Sequence, residues 1–306
     1  MSTEIQLREN LKKCPVCFSD DINFDFSKKD KNLKTPDNFY ICRNCGIFFI
    51  QNRLPLGFLN DKFYSRRKEV SFDHLLLRKK HLKRIADEVM AFFQVSKNYK
   101  IKILDIGCGW GLLLRYFKER GCLVYGVDVS ESACRQTREL LGIDTVFCGE
   151  VTGLDLKREY FDAITLTDVL EHLYNPNFYF EKIYELLKPG GIFAIRTPNE
   201  GSLMRRVFAS KWHLFSPRHI SLYNKKSLKK ILKVHYFGIL KIKAERESFK
   251  NLLPPFYIWR NYSAVSFYSR IRYFAINWIL NILRFSAGIF GMGDSILALA
   301  RKNESR

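Results

Sequence analysis

The chain has 306 residues, 47% hydrophobic and 15% aromatic, which excludes an intrinsically disordered protein and leaves room for one large or two ordinary domains. Lys and Arg number 51 against 31 Asp and Glu, a formal net charge of +20, which suits an acidic membrane surface as a partner and leaves nucleic acid as the less favoured one. The opening MSTEIQLRENLKK is charged and holds no apolar stretch of signal-peptide length, so a cytoplasmic location is expected, where eight cysteines do not read as a disulfide framework.

The earliest pattern is a doubled C-x-x-C: CPVC at Cys14 and Cys17, and CRNCG at Cys42 and Cys45. Each such turn aims two thiolates at one point and a tetrahedral ion takes four, so residues 1–55 read as a zinc ribbon with a wide hairpin, 24 residues between the pairs. Tyr40, Ile41 and residues 47–50 supply its strands. Sulfur fills every position, so the zinc is expected to be structural; a redox pair or incidental cysteines is the alternative. Cys108, Cys122, Cys134 and Cys148 lack such spacing and read as packing residues.

Residues 56–98 read as a helical connector. In HLLLRKKHLKRIADEVMAFF, Leu75, Leu82, Ile85, Val89 and Phe92 recur at helical spacing, and Arg78, Lys79, Lys80, Lys83 and Arg84 make the other face, expected to be solvated.

From residue 99 to the end, apolar runs alternate with helical stretches, predicting strands near 101–105, 122–128, 144–148, 161–167, 191–197, 239–245 and 295–302. That βαβα order implies an α/β fold, a doubly wound and mostly parallel sheet, with ligands beyond the carboxyl ends of the strands. The first run, IKILDIGCGWG, reads as strand, glycine turn and helix, with Asp105 at the strand end and Gly107, Gly109 and Gly111 at alternate positions. Glycines there permit positive φ and let a ligand lie against bare backbone at a helix N-terminus. A carboxylate beside the turn suits a ligand with an amino-acid head and a sulfonium better than a pyrophosphate. Asp128, about 20 residues beyond the turn and at the tip of the next strand, is placed to accept from both ribose hydroxyls of an adenosine ligand.

Together with CGE at 148–150, FDAITLTDVLEHLYNP at 161–176, ELLKPGGIFAIRTPN at 185–199 and PRHISLYN at 217–224, these residues resemble class I S-adenosylmethionine-dependent methyltransferases. LEH before a proline, LKPGG and the TPN strand end look like the subgroup that holds the O-methyltransferases of ubiquinone synthesis and many methyltransferases of sugar and polysaccharide pathways. The resemblance covers roughly residues 99–249 and the tail from 294, about half the chain. It implies a seven-stranded sheet whose last two strands form an antiparallel pair. It also implies an S-adenosylmethionine site at Asp105, Gly107, Gly109, Gly111, Asp128, Glu150 and Asp168, with Glu150 near the adenine unless it caps the next helix. Similar four-cysteine modules precede the methyltransferase domain, here 99–306, in some sugar C-methyltransferases.

Methyl transfer is an in-line displacement at a sulfonium carbon, so the protein mainly aligns and desolvates the acceptor, but a hydroxyl acceptor also needs a base that titrates near neutrality. His172 lies in LEH just past a strand end, and His219 lies in the segment after TPN that shapes the acceptor pocket in relatives; these are the candidate bases. A structural role with a satisfied backbone hydrogen bond is the alternative for each. No N-P-P-Y or D-P-P-Y stands at a strand end, so methylation of oxygen or of a sugar carbon is expected. The other readings are an RNA methyltransferase gripping phosphates with its basic faces, a methyltransferase of a soluble nucleotide-sugar, and a non-catalytic binding protein; no RNA-binding module is visible in the sequence.

Residues 252–293 are more than this fold requires between its last two strands and are rich in aromatic and aliphatic side chains. Asn277, Asn281 and Arg284 continue a narrow polar stripe through Arg270, Ser266 and Ser263, as in a helix lying in a lipid interface or over a protein groove rather than spanning a membrane. With Lys225, Lys226, Lys229, Lys230 and Lys233 nearby in sequence, the expected partners are an anionic membrane surface on the inner face and a saccharide or lipid-linked small-molecule acceptor.

Overall fold

The structure, a computed structural model, describes residues 8–30, 33, 35–59, 80–94, 99–245, 283, 287 and 290–303. The expected amphipathic helix of the insert, apart from Leu283, Ala287 and 290–293, lies outside the described residues, as do residues 60–79 of the connector, with Leu75, Arg78 and Lys79, and residues 95–98.

The N-terminal part holds β1 (Glu9–Asn10), β2 (Ile22–Lys28), β3 (Asp37–Cys42), β4 (Phe48–Ile50), β5 (Asn52–Arg53) and a short helix α1 (Leu56–Leu59). Next come α2 (Lys80–Met90), β6 (Lys102–Ile106), α3 (Leu112–Lys118), β7 (Leu123–Asp128), α4 (Glu131–Leu141), β8 (Val146–Cys148) and β9 (Phe161–Thr167). The chain continues through α5 (Pro176–Leu186), β10 (Leu187–Pro198), α6 (Leu203–Phe208), β11 (Ser221–Leu222), α7 (Lys225–Val234), β12 (Phe237–Glu245) and β13 (Ser295–Lys302).

The main sheet has seven strands in the order β12-β13-β10-β9-β6-β7-β8. Strands β6 to β10 run parallel, and β13 lies antiparallel between β10 and β12, so the doubly wound sheet with its antiparallel pair is as expected. The alternation along each strand feeds two cores: Leu104, Phe193 and Ile195 pack with α5 and α7, while Ile103, Ile192 and Ala194 pack with α2, α3 and α4. Six strands fall within two residues of their predicted bounds; β10 instead starts early, at Leu187, because the chain reaches the sheet before the Pro189-Gly190-Gly191 turn and rejoins it at Ile192 across a register shift.

The ribbon holds the expected wide hairpin, β2 paired antiparallel with β3, and adds to it. The wide interval contains strand β2, and β11, from far along the sequence, pairs with β4 to complete a four-stranded sheet, β11-β4-β3-β2. Phe39, Phe48, Ile50 and Leu54 share a core with Met204, Trp212, Phe215 and Leu222, and Trp212 is fully buried there. The ribbon is therefore built into the wall of the larger domain. Lys83 and Arg84 on α2 are exposed as expected, and Arg84 also reaches the buried Glu245 at 2.8 Å. Cys148, read as a packing residue, is instead exposed at the end of β8. Cys108, Cys122 and Cys134 are buried as expected.

Candidate functional site

A cavity of about 590 Å³ opens over the carboxyl ends of β6, β7, β8 and β9. The glycine turn after β6 forms its floor. Gly107 has φ +73°, and a Cβ there would collide with Val169 of the neighbouring turn, so only glycine fits. Gly109 has φ +52°, and a Cβ there would meet nothing within 4 Å: its bare backbone faces open space, as a ligand lying on it requires. Thr137 Oγ1 donates to Gly109 O at 2.9 Å, which fixes the turn on α4.

Two carboxylates flank this turn. Asp105, 3% exposed, accepts a 2.6 Å hydrogen bond from Thr165 Oγ1 on β9. Asp128, 5% exposed, accepts from Gly109 N at 2.8 Å and Ser130 N at 2.9 Å, so both oxygens are held at the cavity wall by backbone. These bonds lock the carboxylate's orientation before any ligand arrives, which spares that ordering cost on binding. Gly111, with φ +72°, begins α3 and also borders Thr137.

Glu150 lies on the cavity rim and makes no side-chain cap to the turn that follows; its side chain meets the hydroxyl of Tyr179, whose pKa rises through burial first and through Glu150 second. Asp168 adopts φ +55°, rare outside glycine, and pairs with Arg196 on β10 while facing the cavity. Arg196 is itself buried beside Glu245, 3.6 Å away, and donates to Ser295 Oγ at 2.8 Å.

The two histidines chosen from the sequence come together, with ring centroids 5.0 Å apart. His172 lines the cavity and its Nδ1 donates to Arg218 O at 2.7 Å; because a carbonyl oxygen only accepts, the neutral ring carries its proton on Nδ1 and its basic nitrogen is Nε2. His219 Nδ1 likewise donates to Leu214 O at 2.6 Å, and burial lowers its pKa to about 4. Glu171, wholly buried behind them, accepts from Thr197 Oγ1 at 2.9 Å; burial first and the charge of Asp168 second push its pKa up to about 7. The ligand atoms of Glu171, His172 and His219 lie within 4.8 Å of one another, a donor set that could also hold a divalent cation.

The four ribbon cysteines also converge. Four sulfurs each about 2.3 Å from one ion would lie roughly 3.8 Å apart, and here Cys14 Sγ to Cys45 Sγ and Cys17 Sγ to Cys42 Sγ are both 3.6 Å. The amides of Val16 and Cys17 point at Cys14 Sγ, at 3.4 and 3.5 Å, as in a C-x-x-C metal knuckle.

Several side chains escaped the sequence reading. Leu56, Leu59 and Leu82, from α1 and α2, close the cavity from the N-terminal side, and their spacing alone says only that they are buried. Arg196 within IFAIRTP and Glu171 within the apolar DVLEHL are ionisable residues inside apolar runs, a signal of buried charge available in the sequence.

Among known proteins, residues 77–240 match the model of a methyltransferase domain family. A ubiquinone biosynthesis O-methyltransferase of Pseudomonas entomophila is 35% identical over 104 residues, 32% of this chain and 44% of that protein. One of Nitrobacter winogradskyi is 37% identical over 103 residues, 32% of this chain and 39% of that protein. The chain thus matches less than half the length of these relatives. A solved SAM-dependent methyltransferase from Archaeoglobus fulgidus shares the fold, with a TM-score of 0.50 at 21% identity, over 76% of this chain and 100% of that one. The family model spans more than half of the 306 residues and contains the glycine turn, both flanking carboxylates and the paired histidines; the chain belongs to the methyltransferase domain family.

Proposed function

We propose that the chain transfers a methyl group from S-adenosylmethionine to an oxygen of a saccharide or lipid-linked small molecule. The observation that carries this reading is one cavity with two unlike walls: the clamped Asp128 beside the open Gly109 on one side, and His172, its basic Nε2 fixed by tautomer, on the other. When bound, S-adenosylmethionine supplies an electrophilic methyl group on a sulfonium. Asp128 is placed to accept the ribose hydroxyls, Gly107 and Gly109 admit the ligand against backbone, and Asp105 stands where an ammonium group would be neutralised. His172 is placed to take the proton of an acceptor hydroxyl, with His219 and Glu171 packed behind it to fix its position.

The same reading assigns a structural zinc to Cys14, Cys17, Cys42 and Cys45, supported by their spacing and burial. It places the protein at an anionic membrane surface on the cytoplasmic side, for which the basic α7 and the composition of the 252–293 insert speak; among the described residues no helix is long and apolar enough to cross a membrane. Calorimetric titration with S-adenosylmethionine tests the first step, and comparing lipids and saccharides of cells with and without the gene for a one-methyl mass difference tests the acceptor. Absence of cofactor binding by the purified protein would end the enzymatic reading.

A further inference from the structure

Beyond the carboxyl end of β10 lies a second recess, of about 450 Å³, between α6, the start of α7 and the chain returning to β13. Arg205, Arg206, Lys225 and Lys226 line it, with Glu200 as the only acid among its described lining residues. Glu200 is already engaged: Asn224 Nδ2 donates to its Oε2 at 3.2 Å, and Arg205 Nε lies 3.6 Å from its Oε1. Arg205 also faces Asp25 at 3.6 Å, so this arginine is neutralised within the fold. Among the described residues the side chains of Arg206 and Lys226 make no ion pair within 4.0 Å and no hydrogen bond, though Arg206 lies within electrostatic reach of Glu200, and Lys225 Nζ donates to the carbonyl of Gly291 at 3.1 Å. Arg206, Lys225 and Lys226 therefore converge on one concave surface where the described lining offers a single carboxylate, Glu200, which Arg205 already shares with Arg206, and the N-terminus of α7, ten residues long, adds its dipole to the same spot.

Hydrogen bonds tie the walls together. Asn224 caps α7 through Ser227 N at 3.0 Å and reaches Gly46 O of the ribbon at 2.6 Å, while Glu200 N donates to Tyr223 O at 2.8 Å. Gly201 and Gly291 leave backbone exposed at the rim. Position gives the recess a meaning. Asn199 on its edge lies three residues past Arg196, which pairs with Asp168 on the cavity wall, so at about 3.3 Å per extended residue these two backbone positions, one at the recess and one behind the cavity wall, are roughly 10 Å apart. That is comparable to the reach from a diphosphate to a hydroxyl on the sugar it carries.

We propose that the recess binds the phosphate or diphosphate of the methyl acceptor and so presents the attached saccharide to His172, an inference that rests on the methyltransferase reading above. Arg206 offers a planar pair of donors to a phosphate, and Lys225 and Lys226 offer compact charges beside it. The test is calorimetry on the full chain, first with S-adenosylmethionine and then with inorganic pyrophosphate. Pyrophosphate should bind, at least tenfold more weakly to the Arg206→Gln/Lys225→Gln double variant and less than twofold more weakly to Lys229→Gln/Lys230→Gln, which removes equal charge from the exposed part of α7. Cofactor affinity should be equal in all three proteins. No pyrophosphate binding at millimolar concentration, or equal weakening by the two double variants, overturns the recess while leaving the methyltransferase reading intact; loss of cofactor binding by the wild-type chain overturns that reading instead. Uridine diphosphate binding more tightly than pyrophosphate assigns a nucleotide-borne acceptor. Flotation with phosphatidylcholine vesicles only when they contain polyprenyl monophosphate assigns a lipid-borne one.

Discussion

Asp128 carries two constraints at once, since the same carboxylate that accepts from Gly109 N and Ser130 N also faces the cavity. Replacing it by alanine removes the acceptor for the ligand hydroxyls and leaves two backbone donors without their partner. Asp128→Ala is expected to lower cofactor affinity at least tenfold in calorimetry, in line with about 1–3 kcal/mol for each buried polar group left unsatisfied; near-normal affinity would mean the cofactor lies elsewhere. Glu171 gives a pH signature. Its folded pKa of about 7 stands above the ordinary 4.5, so the fold holds a proton that the unfolded chain has lost, and stability falls as pH rises from about 4.5 through about 7. His219, lowered from 6.5 to about 4, acts with the opposite sign: stability rises as pH climbs from about 4 to about 6.5. The two trends oppose each other up to about 6.5, and the Glu171 loss stands alone just above. Glu171→Gln should therefore gain stability relative to wild type between pH 5 and pH 8, by at most about tenfold in the folding equilibrium per pH unit, read from urea melts in the presence of a chelator. Parallel pH profiles for the two proteins would show that Glu171 is ionised throughout.

The ribbon is the element whose role changes most between sequence and structure. Its cysteines were legible because C-x-x-C spacing is a local geometric requirement, and the main strands were legible because each apolar run closes on itself within a few residues. The pairing of β11 with β4 was not, because two residues of strand carry no periodicity and their partner lies 172 positions away, Ser221 opposite Phe49. That pairing ties the ribbon to the histidines. His219 bonds Leu214 O and His172 bonds Arg218 O, both in the loop that Lys28 holds through Trp212 O at 3.1 Å and Phe215 O at 2.9 Å. Tyr174, at the cavity, donates to Leu54 O and receives the Arg53 guanidinium over its ring at 3.8 Å. Cys14→Ser is therefore expected to lose the single zinc per chain in elemental analysis and to reduce methyl transfer strongly, while the affinity for S-adenosylmethionine, whose candidate residues hang on the sheet, stays near wild type. Unchanged turnover in a zinc-free variant would show that the ribbon does not position the acceptor wall. Trp212→Ala acts on the same joint from the other side and should cost about 3–5 kcal/mol in chemical denaturation, as for other large side chains removed from a core.

At the scale of the whole molecule the question is where a charge of +20 and an apolar insert meet. β12 runs parallel to β10, since both are antiparallel to β13, so the insert leaves the sheet at Glu245 and re-enters at Ser295 on the side that carries the cavity. Both attachment points are fixed there: Glu245 is bound by Arg84 and lies beside Arg196, and Asn199 N donates to Asp294 O at 2.8 Å. The described part of the insert touches protein, with Ala287 buried and Leu283 packed against the core that the ribbon shares with α6. Its last described stretch borders the basic recess through Gly291, and the exposed lysines of α7, Lys226, Lys229, Lys230 and Lys233, start from the same place. An anionic bilayer facing this side would meet that basic charge, and the insert's sequence is rich in the aromatic residues that hold peripheral proteins at an interface. The chain should thus sediment with phosphatidylglycerol-containing liposomes at low salt and release as salt shortens the screening length from about 10 Å at 0.1 M to about 3 Å at 1 M. Replacing residues 255–288 by a short linker should abolish sedimentation and leave S-adenosylmethionine binding unchanged. If the intact chain stays in the supernatant with such liposomes at low salt, the acceptor is not presented on a membrane, and a soluble nucleotide-borne saccharide becomes the substrate to assay.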